Sequence, residues 1–209
     1  KRMYMSKILI SGCGISFPGE RPTWIKVLEL CKLDITDLSG PAIGNYLILN
    51  QLLIELNKNS YTHCICQLTF LGKLDVQLTE RNRFLMEQDT VRNFEYQGFW
   101  PSSASRDHEY KRIWEDYLYS PVLEYQDILL KIEHLKMLCE RLDVQLYIIQ
   151  GYDLALNSYN IMDDYEQDET YCLHEQGQSV PCVEFQIKLA ERINNEFLKM
   201  DLPLERFKR

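Results

Sequence analysis

Four short segments combine glycine with small polar residues: Gly12-Cys13-Gly14-Ile15-Ser16, Ser39-Gly40-Pro41-Ala42-Ile43-Gly44-Asn45, Thr69-Phe70-Leu71-Gly72 and Gly151-Tyr152-Asp153. Glycine lets backbone N–H groups approach a ligand closely, and a helix that begins just after it favours negative charge. Such a cluster suits an anion or the oxyanion of an acyl-transfer reaction. Ser16 offers a hydroxyl beside it, Ser11 another at the end of the strand-like run before it, and Cys13 offers a thiol that a nearby helix N-terminus would acidify. A base is harder to find. His174, in Leu173-His174-Glu175-Gln176-Gly177-Gln178-Ser179, is the only histidine of its region, and Asp107-His108 supplies a second candidate pair. His63 opens a strand-like run and His134 lies inside a helical one, so neither is well placed. The acidic run Asp163 to Glu169 lacks the glycine and alternating spacing of a calcium loop and reads as a solvated charge run.

The elements that would carry these segments alternate. Lys7–Ser11 reads as a first buried strand. Thr23 can cap a helix with Trp24, Val27, Leu28 and Cys31 on one face. Asp34–Leu38 is a second strand, a helix follows with Leu49, Leu52, Leu53 and Leu56 inward, and Thr62–Leu68 is a third strand. That order predicts parallel strands joined by right-handed crossovers. Residues 69–120 lack clear periodicity and form an insertion. From Pro121 a long helix carries Ile128, Ile132, Leu135, Cys139 and Leu142 inward, and Gln145–Gln150 is a fourth strand. Residues 151–181 are acidic and polar. A final helix runs from about Val183 to Met200 with Leu189, Ile193, Phe197 and Met200 inward. The expected fold is a single α/β domain over residues 1–209: a three-layer sandwich with a short, mostly parallel sheet and helices on both faces, of flavodoxin-like type. In such sheets ligands sit beyond the carboxyl ends of the strands, which brings the glycine-bearing segments to one rim.

The Gly12-Cys13-Gly14-Ile15-Ser16 turn after strand one, followed by Ser39 to Asn45 after strand two, resembles the SGNH/GDSL hydrolase superfamily. It is most similar to variants common among phage-encoded proteins, and Tyr117-Leu118-Tyr119-Ser120-Pro121 before the long helix is similar to that group too. The resemblance runs through most of the chain in short motifs. It implies a hydrolase of esters or acyl groups, with Ser16 as nucleophile and His174 as base. Gly12, Cys13, Gly14, Gly44 and Asn45 would then line the ligand and oxyanion site. The chain departs from that pattern where Gly14 follows Cys13 in the nucleophile's usual place, and no Asp-x-x-His precedes the last helix. The alternative implied is an inactive member of the fold that binds a small anionic ligand at the same rim.

Composition excludes several other roles. The net charge is −8 with a pI near 5.1, and no basic stripe is present, so a nucleic-acid partner is not expected. No apolar run reaches the roughly 18 residues that cross a bilayer, so neither is a membrane partner. The seven cysteines are odd in number and include no Cys-x-x-Cys, which fits free thiols in a cytoplasmic protein. The Cys64-Ile65-Cys66 run is expected to turn its two thiols to opposite faces of a strand and so not to share a metal. Neither a metal nor a cofactor is called for. The aromatic insertion, with Phe99, Trp100, Tyr110, Trp114, Tyr117 and Tyr119, is a candidate surface for a protein partner, which makes a structural or interaction role the third reading.

Overall fold

A computed structural model describes residues 6–12, 23–40, 43–69, 71, 74–77, 96–99, 120–150, 159–160, 171–173, 179–181 and 183–207. Its centre is a parallel sheet of β1 (Lys7–Ser11), β2 (Asp34–Asp37), β3 (His63–Leu68) and, after the insertion, β6 (Gln145–Gln150). The spatial order is β2-β1-β3-β6, and every pair is parallel. The two-residue β7 (Tyr159–Asn160) extends it beyond β6. Within the insertion, β4 (Leu74–Gln77) and β5 (Tyr96–Phe99) pair antiparallel, as do β8 (Tyr171–Leu173) and β9 (Ser179–Pro181) before the last helix.

The helices follow from the strand order. The step from β1 to β2 and the return from β2 across β1 to β3 run in opposite directions, so right-handed crossovers put their helices on opposite faces. Accordingly α1 (Trp24–Leu30) packs on Ile8, Ile10 and Ile65, together with α4 (Val183–Ile193). On the other side α2 (Asn45–Lys58) and α3 (Pro121–Arg141) cover Leu9, Cys64, Cys66 and Leu68. β3 lies between β1 and β6 with all six residues buried, which explains its near-continuous apolar sequence.

The two thiols of Cys64 and Cys66 are on the same face, against expectation, because positions two apart on a strand point the same way; Ile65 faces α1 and α4. Among the described residues no cluster of three or more metal-ligating side chains occurs, and Cys31, Cys64, Cys66 and Cys139 are free. A hydrogen bond with Cys139 and burial both push the Cys64 thiol up, and burial does the same to Cys66, so neither is a ready thiolate. Leu142, expected inward, is the exposed C-cap of α3. The last helix also stops being α-helical earlier than its apolar spacing suggests: Asn194–Leu198 is a π-helical turn closed by Lys199 at φ 52°. No helix among the described residues is long and apolar enough to cross a membrane.

Candidate functional site

Because the four strands run the same way, their carboxyl ends form one rim. The register sets Ser11 beside Cys66, Ile10 beside Asp37 and Leu68 beside Gln150. β1 and β2 stay joined past their last ladder residues: Leu38 N donates to Ile10 O at 2.8 Å and Gly40 N to Gly12 O at 3.2 Å. Gly40 is needed there, since a Cβ would lie 2.9 Å from Cγ2 of the buried Ile43. The chain then enters α2 at Gly44, an N-cap without a side-chain hydrogen bond, so the positive end of the α2 dipole faces this rim.

Asn45 closes the arrangement. Its Nδ2 donates to Thr69 O at 3.0 Å, and Thr69 N donates to its Oδ1 at 2.7 Å. One amide side chain thus satisfies both backbone groups of the residue that leaves β3, and fixes the start of α2 to the end of that strand. Asn45 is 1% exposed. Next to it Ser11 Oγ donates to Gln51 Oε1 at 3.2 Å, tying the end of β1 to α2. On the opposite face Gln67 Oε1 accepts from Trp24 Nε1 at 3.4 Å. The neighbouring backbone N–H of Trp24 donates to Gln186 Oε1 at 2.8 Å, so α4 helps cap α1 below the rim. At the end of β2, burial pushes the Asp37 carboxyl up against the lowering effect of hydrogen bonds from Ser39, whose N–H lies 2.8 Å from Oδ1. A carboxyl so perturbed, at a strand end among fixed backbone dipoles, suits a site that handles protons or polar ligands.

The structure therefore brings together three of the residues singled out by sequence: Gly12, Gly44 and Asn45. Cys13, Gly14, Ser16 and His174 lie outside the described residues. So do Asp107, His108, the acidic run 163–169, and Trp100, Tyr110, Trp114, Tyr117 and Tyr119; of Phe99 only the backbone is described. His63 starts β3, at the end of the sheet away from the rim, and His134 is exposed on α3. Sequence reasoning placed Thr69 in a rim segment without giving it a role, and passed over Asp37, Gln51 and Gln67. The signal for Gln67 was present: a polar residue at an inward position of a strand that is otherwise apolar must find a partner. Asp37 and Gln51 gave no such sign, since an acid at a strand end and a glutamine in a helix are ordinary surface residues.

In comparison with known proteins, the chain matches no family model, no curated protein and no solved structure.

Proposed function

We propose that the chain is a single SGNH-like α/β domain, a three-layer sandwich, that hydrolyses a small ester or acyl compound at this rim. The observation that carries the reading is the meeting of Gly12 and the Gly44–Asn45 helix start, joined through Gly40, outside β1 and β3. The order β2-β1-β3-β6 supports it, because a doubly wound sheet reverses direction between its first and third strands and opens its crevice there. Ser16 Oγ would attack the carbonyl carbon and pass its proton to His174. Backbone N–H groups of residues 12–14 and of the α2 start would stabilise the oxyanion; collapse of the tetrahedral intermediate would expel the alcohol, protonated by His174, and water would then release the acid from acyl-Ser16. Asn45 would act chiefly by holding Thr69, with one of its two amide N–H groups committed to that carbonyl. The test is turnover of p-nitrophenyl acetate and butyrate, with fluorophosphonate labelling mapped by peptide mass. Ser16→Ala is expected to lower the rate at least about a thousandfold and abolish labelling. An unlabelled protein without turnover ends the reading.

One observation favours a second reading, a binding domain without catalysis. Asn45, the residue matched to the oxyanion donor, is buried and clamped in both directions, as a structural residue would be. Acetate, butyrate or inorganic phosphate would then raise the melting temperature with no hydrolysis, through a stabilisation of about 2.7 kcal/mol at a hundredfold excess over Kd. Asn45→Ala removes both of these buried hydrogen bonds to Thr69 and is expected to cost about 3 kcal/mol in thermal unfolding whichever reading holds. A loss under about 1 kcal/mol would mean that the clamp does not organise the rim.

A further inference from the structure

The outer surface of α3 is not the polar face that a helix on a sheet normally turns to water. Leu123, Leu130 and Met137 are 66%, 63% and 64% exposed, and Val122 is 63% exposed. The first three are seven residues apart, so they drift only about 20° per step and form one straight stripe. The buried positions Ile128, Ile132, Leu135 and Cys139 occupy the opposite side, so the stripe points directly away from the core. Single exposed apolar side chains need no explanation, but three large ones in line along a 21-residue helix do.

We propose that this stripe is a self-association surface, on which α3 packs antiparallel against α3 of a second copy about a two-fold axis through Leu130. The stripe is symmetric in itself. Leu130 meets its own copy, and Leu123 meets Met137 of the other chain, as an isologous contact requires. The exposed polar residues beside the stripe are also complementary in this sense. Asp127, three residues before Leu130, comes opposite His134, four residues after it, twice across the axis. On the other edge Glu133 comes opposite Gln126. No carboxylate is set directly against another. A parallel pairing would join Glu133 to His134 instead and would align the two helix dipoles unfavourably, whereas the antiparallel one opposes them. A contact built mainly from one helix pair is small, so the dimer is weak and concentration-dependent.

The experiment is sedimentation velocity on the full chain between about 1 μM and about 1 mM. A monomer–dimer equilibrium is expected for the wild type, and Leu130→Glu is expected to abolish it while keeping the monomer's melting temperature. His134→Glu sets a carboxylate against Asp127 and should raise the dissociation constant about tenfold. Adding Asp127→Lys to His134→Glu should restore it, which the parallel arrangement would not allow. A wild type that stays monomeric throughout overturns the proposal. So does a dimer that survives Leu130→Glu, which would use another surface, or a double swap without rescue. A Leu130→Glu chain that fails to fold overturns it too, because the stripe would then be covered by the chain's own residues. None of these outcomes depends on whether the rim hydrolyses esters.

Discussion

Two buried asparagines use the same device at opposite ends of the molecule. Asn45 bonds both the N–H and the C=O of Thr69, and Asn194 bonds Met200 in the same two directions, at 3.1 and 2.9 Å. Each holds a residue just outside regular structure, where no helix or strand ladder supplies the backbone partners. Asn45 could be singled out from sequence because it stands where the resembled family's second block carries an asparagine. Its pairing with Thr69 could not, since nothing local in Thr69 identifies a residue 24 positions earlier. His63 shows how burial becomes pH dependence. Its ring stands edge-on to Phe197 at 5.2 Å, with Nδ1 2.9 Å from Thr62 Oγ1, and desolvation lowers its pKa below the ordinary 6.5. The unfolded chain therefore binds the proton more readily. Stability is full above the unfolded value and is lost as pH falls through the folded one. The melting temperature is expected to drop between about pH 7 and about pH 5, with a shallower drop in His63→Gln. Equal slopes for the two proteins would remove His63 as the cause.

At the scale of elements, helix starts were legible and helix ends were not. Thr23 caps α1 by accepting from Lys26 N at 3.3 Å, and Ser120 before Pro121 does the same for α3 through Leu123 N, also at 3.3 Å. Both belong to the residue types that make such caps. The ends carry no glycine. Lys32 after α1, Asp143 after α3 and Lys199 after the π-helical turn all sit at positive φ, at 65°, 55° and 52°. Glycine usually fills such positions because a Cβ is strained there. Without that signal the last helix was extended to Met200 on apolar spacing alone. All three residues are exposed, so their side chains contribute little packing. Replacing each by glycine is expected to stabilise the fold by about 0.5 kcal/mol, roughly additively because the sites are far apart. The triple variant should melt about 3 to 6 °C higher, read by circular dichroism. A lower melting temperature would mean that the side chains contribute more than their backbone strain costs.

At the scale of the whole molecule, parallel strands were readable from their apolar runs and from the alternation with helices. Their order was not, because a strand buried on both faces carries no mark of which neighbour it pairs with. Cys64 and Cys66 share a face, as positions two apart on any strand do, and belong to the cluster of Leu9, Leu52 and Leu135, with Ile65 on the other side. Among the described residues that arrangement makes β3 the one strand that is both flanked on its two edges by β1 and β6 and covered by both core clusters. Its amides can exchange with solvent only when a ladder and a layer open together, which approaches global unfolding. β2 differs, being paired on one edge only and partly exposed. α3 differs too, since many of its residues face water and its ends can fray locally. Hydrogen exchange followed by mass spectrometry should therefore rank a peptide over residues 63–68 slowest, residues 7–11 next, and residues 34–37 and 121–127 fastest of the four. Slower exchange in 121–127 than in 63–68 would mean that the α2–α3 layer, rather than the sheet, is the last part to open. The rim built on the ends of β1 and β3 would then lose its rigid base.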